Sequence, residues 1–321
     1  MQEIAPGIRQ LDTLLGGMDQ LTAGFLIEGP QPALVETGSQ SSTATVRDAL
    51  DAAGIGANDL RWLIVTHIHL DHAGAVGDLA RAFPSATVVV HEQGARHLRD
   101  PSRLIDSASR VYGHLLDDLY GRMEAVPEGR LVAAADGYRV DVGGGRALVM
   151  VDSPGHAKHH HAVLDEQTGT LMVGDAVGVR LPDIGVLRPA TPPPDFNLEQ
   201  AAASLRRFRE LRPQRVVLTH YGPVAAPDDT LAEAEEVLHR WVDVAERTMT
   251  EHADAGVDAV AAALADVFTA PPGTLTPELF HKFEVLNGVH SNAAGIVRYL
   301  QRRDAPVGST SEASPGASAG A

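Results

Sequence analysis

The chain of 321 residues contains no cysteine. Disulfides, thiolate nucleophiles and cysteine-held iron–sulfur clusters are therefore excluded. Basic residues are scarce as well: 26 Lys and Arg stand against 42 Asp and Glu, a formal charge of −16. Recognition of nucleic acid or of an anionic membrane depends on clustered Lys and Arg, so neither partner is expected. A bound cation could still make one cleft locally positive. No stretch approaches the roughly 20 apolar residues of a membrane span. Residues 1–10 lack a basic start followed by an apolar run. The expectation is a cytoplasmic protein acting on a small molecule. The hydrophobic share, 44%, is enough for a sizeable core in one large domain or two smaller ones.

What is present is strongly organised. Two apolar runs, Phe25–Leu26–Ile27–Glu28 and Ala33–Leu34–Val35–Glu36, flank a Gly–Pro–Gln–Pro turn and predict a hairpin. Residues 43–53 have helical spacing and stop at Gly54. Strands are predicted at 61–65 and 87–90, with a helix between them through Ala82. Residues 100–123 read as helical or mixed, with no strong chemical signal. A second strand series follows at 138–142, 147–151, 160–164 and 170–173, then a helix over 197–211 and a strand at 215–218. Strands interleaved with helices in each half predict two αβ units packed face to face.

Residues 178–196 contain five prolines and few strand or helix cues. Such a stretch is either a substrate loop or a surface connection. From 227 the pattern becomes helical. Thr230 with Glu233 fits a capping box. Four apolar faces follow: Leu231, Leu238, Trp241, Ala245 and Met249; then Val260, Leu264, Val267 and Phe268; then, after Thr276–Pro277, Leu279, Phe280, Phe283 and Leu286; then, from Ser291, Ile296, Val297 and Leu300. Residues 1–226 are thus expected to form the catalytic domain and 227–305 a helical extension, either packed on the core or used to form a homodimer. The tail, 306–321, is Gly, Ser, Ala and Pro and is expected to be disordered.

The chemistry concentrates at strand ends. Thr66–His67–Ile68–His69–Leu70–Asp71–His72 places three imidazoles and a carboxylate directly after a buried strand. Neutral imidazole and carboxylate are what Zn²⁺ binds when no thiolate is offered. His156, Asp175 and His220 each follow a further predicted strand. Loops at one edge of a rigid sheet can converge on one cleft, and glycines such as Gly155 and Gly174 let the backbone turn before each donor. Other candidates are less specific. Lys158 and His160 lie just after His156 and are read as substrate contacts. Lys282 is a candidate for a substrate carboxylate, and Tyr221 for a developing oxyanion. His91 is expected to support the site or the core. The Arg206, Arg207, Arg209, Arg212 and Arg215 cluster is expected to be a solvated helix face.

The motif HxHxDH followed by His, Asp and His resembles the metallo-β-lactamase superfamily over residues 21–222. The resemblance implies an α/β fold, the four-layer αββα metallo-β-lactamase-like sandwich, with metals at one sheet edge. By it, His67, His69 and His156 hold a first metal, Asp71, His72 and His220 a second, and Asp175 bridges them. Two Zn²⁺ are implied, with Fe or Mn as alternatives. Asp71 is expected to be catalytic as well as a ligand, one oxygen on a metal and the other orienting a hydroxide or relaying a proton. Where family members commonly carry Asp–Thr–Gly after an early strand, this chain reads Glu36–Thr37–Gly38; the longer carboxylate is expected to take over the supporting task.

Within the superfamily, class B β-lactamases generally lack the bridging Asp, flavodiiron proteins replace the second motif histidine by Glu, and nucleic-acid-processing branches add basic surface. The remaining resemblance is to glyoxalase II and the metal-dependent lactonases, which implies a dinuclear hydrolase of a small thioester, ester or lactone. The competing readings are a mononuclear iron oxidoreductase similar to persulfide dioxygenases and a phosphodiesterase on the same fold.

Overall fold

The computed structural model describes residues 1–182, 184–252, 254–267 and 276–305. Phe268 and the tail 306–321 lie outside the described residues. The first sheet contains β1 (Gln2–Ala5), β2 (Ile8–Asp12), β3 (Ala23–Ile27), β4 (Ala33–Val35), β5 (Trp62–Ile64), β6 (Thr87–His91) and β7 (Leu131–Ala134), in chain order. It is antiparallel up to β4 and parallel from β4 to β7. The second sheet contains β8 (Arg139–Gly143), β9 (Arg146–Asp152), β10 (His161–Asp165), β11 (Thr170–Met172), β12 (Arg215–Leu218) and β13 (Gly222–Pro223), with only β11 and β12 parallel.

Strand periodicity sorts the side chains into layers. On β3, Phe25 and Ile27 face the second sheet while Leu26 faces the helices; on β4, Ala33 and Val35 point one way and Leu34 the other. On β6, Val89 points inward and Val88 and Val90 outward. The inner layer joins Phe25, Val35 and Ile64 to Val140, Met150 and Val217. Strands covered on both faces read as unbroken apolar runs, and each such side chain contributes about 1.5–3 kcal/mol by its burial. Helices Thr43–Ala52 and Val76–Ala82 cover the first sheet, and Leu198–Leu211 covers the second. This is the four-layer αββα sandwich implied by the resemblance.

The helices after 227 pack on the same chain. Leu231, Leu238, Trp241, Val260, Leu264, Ile296 and Leu300 share one buried cluster with Phe208, Val216 and Leu218. Phe283 instead joins the cluster on the first-sheet side, beside Leu181 and Ile184 of the proline-rich loop. The expected capping box is not the start of its helix. That helix runs Pro227–Glu251, with Pro at its first turn and Asp228 and Asp229 beside it. Proline's fixed φ begins the helix one turn earlier; Thr230 is buried within it, and Glu233 pairs with Arg180. Thr276 does cap Pro277–Asn287, accepting from the Leu279 amide. Phe280, expected on the apolar face of that helix, is 48% exposed. The last helix, Val289–Arg303, begins before Ser291. Among the described residues no helix is long and apolar enough to cross a membrane.

Candidate metal centre

The chain leaves β5 at Ile64 and delivers His67 and His69 in a loop. One helical turn, Leu70–Ala73, then presents Asp71 and His72. His156 follows β9, Asp175 follows β11 and His220 follows β12. These strand ends open on one edge of the sandwich. Donor atoms of His67, His69, His156 and Asp175 lie within 4.8 Å of one another, and so do those of Asp71, His72 and His220.

Hydrogen bonds decide which nitrogen each ring offers. A carbonyl oxygen only accepts, so Nδ1 of His156 donates to Ala190 O at 3.0 Å and Nδ1 of His220 to Leu21 O at 2.7 Å. Both rings therefore turn a bare Nε2 inward. Thr66 gives its hydroxyl hydrogen to Glu36 and can accept from His67 Nδ1 at 3.0 Å, which leaves His67 Nε2 bare as well. His69 turns Nδ1 inward, 2.9 Å from His67 Nε2 and 3.0 Å from His156 Nε2.

Asp175 stands between the two groups. Its Oδ2 lies 3.4 Å from His156 Nε2, and its Oδ1 lies 3.2 Å from both His72 Nε2 and His220 Nε2. Gly174 makes that placement possible: its φ is +51°, and a Cβ there would meet His160 Nε2 at 2.5 Å and Thr66 Oγ1 at 2.6 Å. Asp71 Oδ2 is 3.5 Å from His72 Nε2 and from His220 Nε2, and its side chain is 16% exposed. It is the carboxylate of the cluster that reaches solvent.

The donor set fits cations on three observations. Lone pairs of His67, His69 and His156 converge at spacings near the edge, about 3.3 Å, of a tetrahedron with metal–nitrogen bonds of about 2.0–2.1 Å. Asp175 Oδ1 is buried without a well-formed hydrogen bond. The electrostatics agree. Burial, with the neighbouring rings, keeps His67 neutral and holds His69 down to about 3; burial also lowers His156. Neutral imidazole is the form that binds metal. At His72 and His220 burial opposes the charge, but the surrounding carboxylates outweigh it and raise both groups. That half of the cluster calls for positive charge.

Glu36 meets the supporting task expected of it. It is buried, accepts from Thr66 Oγ1 and stands 3.4 Å from His72 Nδ1. Thr37 holds the same helical turn through its amide and hydroxyl, both on His72 O.

The four remaining candidates are not among the clustered donors. His160 is fully buried behind Asp175. Its Nδ1 meets Ser153 Oγ at 2.8 Å, and its Nε2 accepts the Asp175 amide at 3.2 Å. With both nitrogens engaged it props the cluster from behind and does not face a substrate, because the chain has not yet entered β10 and strand alternation does not govern it. Lys158 is 49% exposed and paired with Asp195; Lys282 is paired with Asp19. The Tyr221 hydroxyl partners Gln10 and Asp12, and burial beside the Asp12 charge pushes it up to about 12. His91 is buried against Asp152 at 3.2 Å. The Arg206, Arg207 and Arg209 side chains form surface ion pairs with Glu235, Asp136 and Asp228.

Two phenols went unread in the segment expected to lack chemistry. Tyr112 and Tyr120 pack with ring centroids 4.8 Å apart and planes tilted by 50°. Burial and the nearby Asp71 carboxylate push both upward. Tyr112 is 37% exposed and close enough to feel the Asp71 charge. Their spacing carries no motif; only the fold brings them there.

Known proteins agree with this architecture. The chain is 30% identical over 169 residues to the metallo-beta-lactamase fold-containing protein ST1585 of Sulfurisphaera tokodaii, covering 52% of this chain and 62% of that protein. It is 28% identical over 213 residues to putative diflavin flavoprotein A 3 of Nostoc sp., covering 62% of this chain and 33% of that one. It is 29% identical over 117 residues to the N-acyl homoserine lactonase AttM of Agrobacterium fabrum, covering 36% and 40%. The chain thus spans less than two thirds of the length of each of these relatives. Among solved structures, ST1585 superposes with a TM-score of 0.67 at 20% identity, over 91% of this chain and 98% of that one. The metallo-beta-lactamase family protein TTHA1429 from Thermus thermophilus superposes with 0.69 at 19% identity, over 94% and 95%. The family model of the metallo-beta-lactamase superfamily matches residues 19–220, which include all seven clustered donors, and the chain belongs to that superfamily.

Proposed function

We propose that this protein is a dinuclear metal-dependent hydrolase acting on a small thioester, ester or lactone. The observation that carries the reading is Asp175, whose two oxygens face two separate groups of imidazole nitrogens. In this reading His67, His69 and His156 hold one ion, Asp71, His72 and His220 hold the other, and Asp175 touches both. Three imidazoles with an open position suit Zn²⁺; Fe and Mn also take His and Asp donors. Two such ions supply Lewis acidity and bring the pKa of a water towards neutrality.

The chain's own residues do the positioning. Asp71 keeps one edge towards solvent and is placed to accept or return a proton there. Tyr112, near enough to feel the Asp71 charge, is the candidate hydroxyl donor to a substrate oxygen on which negative charge builds. His160 and Ser153 hold Asp175 in register from below. The kinship with a lactonase supports a lactone among the substrates.

The test is a panel of thioesters, lactones and phosphodiesters assayed on protein loaded with defined metals. Two ions per chain with cleavage of an acyl bond is the expected result. One iron per chain with oxygen uptake, or cleavage of phosphodiesters alone, would overturn the reading.

A further inference from the structure

Where the proline-rich loop meets the C-terminal helices, one peptide group also touches the donor cluster. The carbonyl of Ala190 accepts from His156 Nδ1 at 3.0 Å. The amide of the same peptide, Thr191 N–H, donates to Asn292 Oδ1 at 2.6 Å. A peptide group is planar, so fixing its N–H fixes the direction of its C=O. The Thr191 hydroxyl adds bonds to Asn292 O and Oδ1, each 3.1 Å. On the other side of Ala190, Asn287 Nδ2 donates to Pro189 O at 3.1 Å. Asn292 Nδ2 in turn donates to Asn287 Oδ1. Thr191, Asn287 and Asn292 are all buried, where a chain of hydrogen bonds is stiffest. Gly295, one turn along the last helix, lets the loop approach: a Cβ there would stand 1.8 Å from Thr191 O.

We propose that Asn292 is a positioning residue for His156, acting through the 190–191 peptide, so that the last helix sets the affinity of the His67, His69 and His156 site for its metal. This rests on the reading of His156 as a metal ligand. Groups that orient a ligating histidine commonly change metal affinity by about 10–100-fold; a residue one peptide further out should change it by less.

The experiment titrates metal-free protein with Co²⁺, following the visible spectrum of the bound ion, and repeats the titration against a competing chelator. Wild type is compared with Asn292→Ala, Gly295→Ala and Tyr299→Phe. Asn292→Ala removes the acceptor, and Gly295→Ala displaces the same loop with Asn292 intact. Tyr299→Phe keeps the ring, removes the Tyr299–Glu199 hydrogen bond and controls for a loosened helix. The expected result is about a threefold to tenfold weaker first site in the first two variants, an altered cobalt spectrum, and wild-type binding in Tyr299→Phe. Folded Asn292→Ala and Gly295→Ala proteins with wild-type affinity would overturn the proposal and leave the metal reading standing. Equal weakening in Tyr299→Phe would also overturn it. A wild type that binds no metal would remove both.

Discussion

His156 and His220 make the same contact, a backbone carbonyl on Nδ1, yet the two carbonyls belong to different parts of the molecule. Leu21 O, which serves His220, lies two residues before β3 in a hairpin loop laced to the sheets: Ala23 N donates to Thr219 O and Thr13 N to Thr22 O. His72, its neighbour, is held by Glu36 and Thr37 at the end of β4. Ala190 O, which serves His156, lies in an irregular loop whose anchors are Asn287, Asn292 and the Arg188–Glu284 pair of the C-terminal helices. One half of the donor cluster is therefore rooted in the sandwich itself, while part of the other half depends on elements added after it. The same ligand chemistry can rest on supports of unequal stiffness, and the two proposed metal positions should respond to different changes elsewhere.

The change that erases the distinction has the largest effect. Asp175→Ala removes the one group common to both halves, and turnover should fall by orders of magnitude with metal content below two ions per chain. Asp71→Ala should cost turnover about 10²–10⁴-fold with little loss of folded protein, read by kcat beside circular dichroism. Near-normal turnover in either variant would break the account.

Glu36→Gln sharpens the comparison from the other side. It keeps the size of the side chain and removes the charge facing His72, so the second position should lose about tenfold in metal affinity. Glu36 also serves His67 through Thr66, but the amide oxygen can still accept from that hydroxyl, so the first position should change less. Equal weakening of both would contradict the separation.

Acid should act first on the half near His156. His159 packs against His69, and His161 donates to Val65 O just ahead of the motif. Burial holds them neutral, at about 2 and about 3. In the unfolded chain both return to about 6.5, so that state binds more protons below that value. Their contribution to stability is complete above about pH 6.5 and is lost as pH falls towards 3, at up to about 1.4 kcal/mol per pH unit for each. Chemical denaturation of metal-free protein between pH 7.5 and 5 measures this; flat stability would contradict it. The smallest effect is expected for Tyr221→Phe, whose hydroxyl is engaged with Gln10 and Asp12: a severalfold change in kcat or less.

The seven donors are legible because each comes after an apolar run, four of them in one segment and His156 and Asp175 directly after a glycine. Their supports were not. Leu21 and Ala190 act through backbone carbonyls, which have no residue signature, and Asn292 reaches His156 only because a helix far along the chain packs on the loop. His160 looked like a strand residue facing the cleft and is instead a buried prop. The strands β1, β2, β7 and β13 carry no clear signal: Gln2–Ala5 and Ile8–Asp12 mix polar with apolar residues, Leu131–Ala134 is short and alanine-rich, and Gly222–Pro223 is two residues long. The capping pattern at Thr230 was real as a pattern but lay inside a helix already started by Pro227.

In the proposed function Asp175 stands between two cations held by the other six side chains. Anomalous diffraction at the zinc edge, from crystals of zinc-loaded protein, tests it most directly. Two peaks about 3.5–4 Å apart, one beside His67, His69 and His156 and one beside Asp71, His72 and His220, are predicted, with Asp175 touching both. A single peak, or none within reach of Asp175, would contradict it.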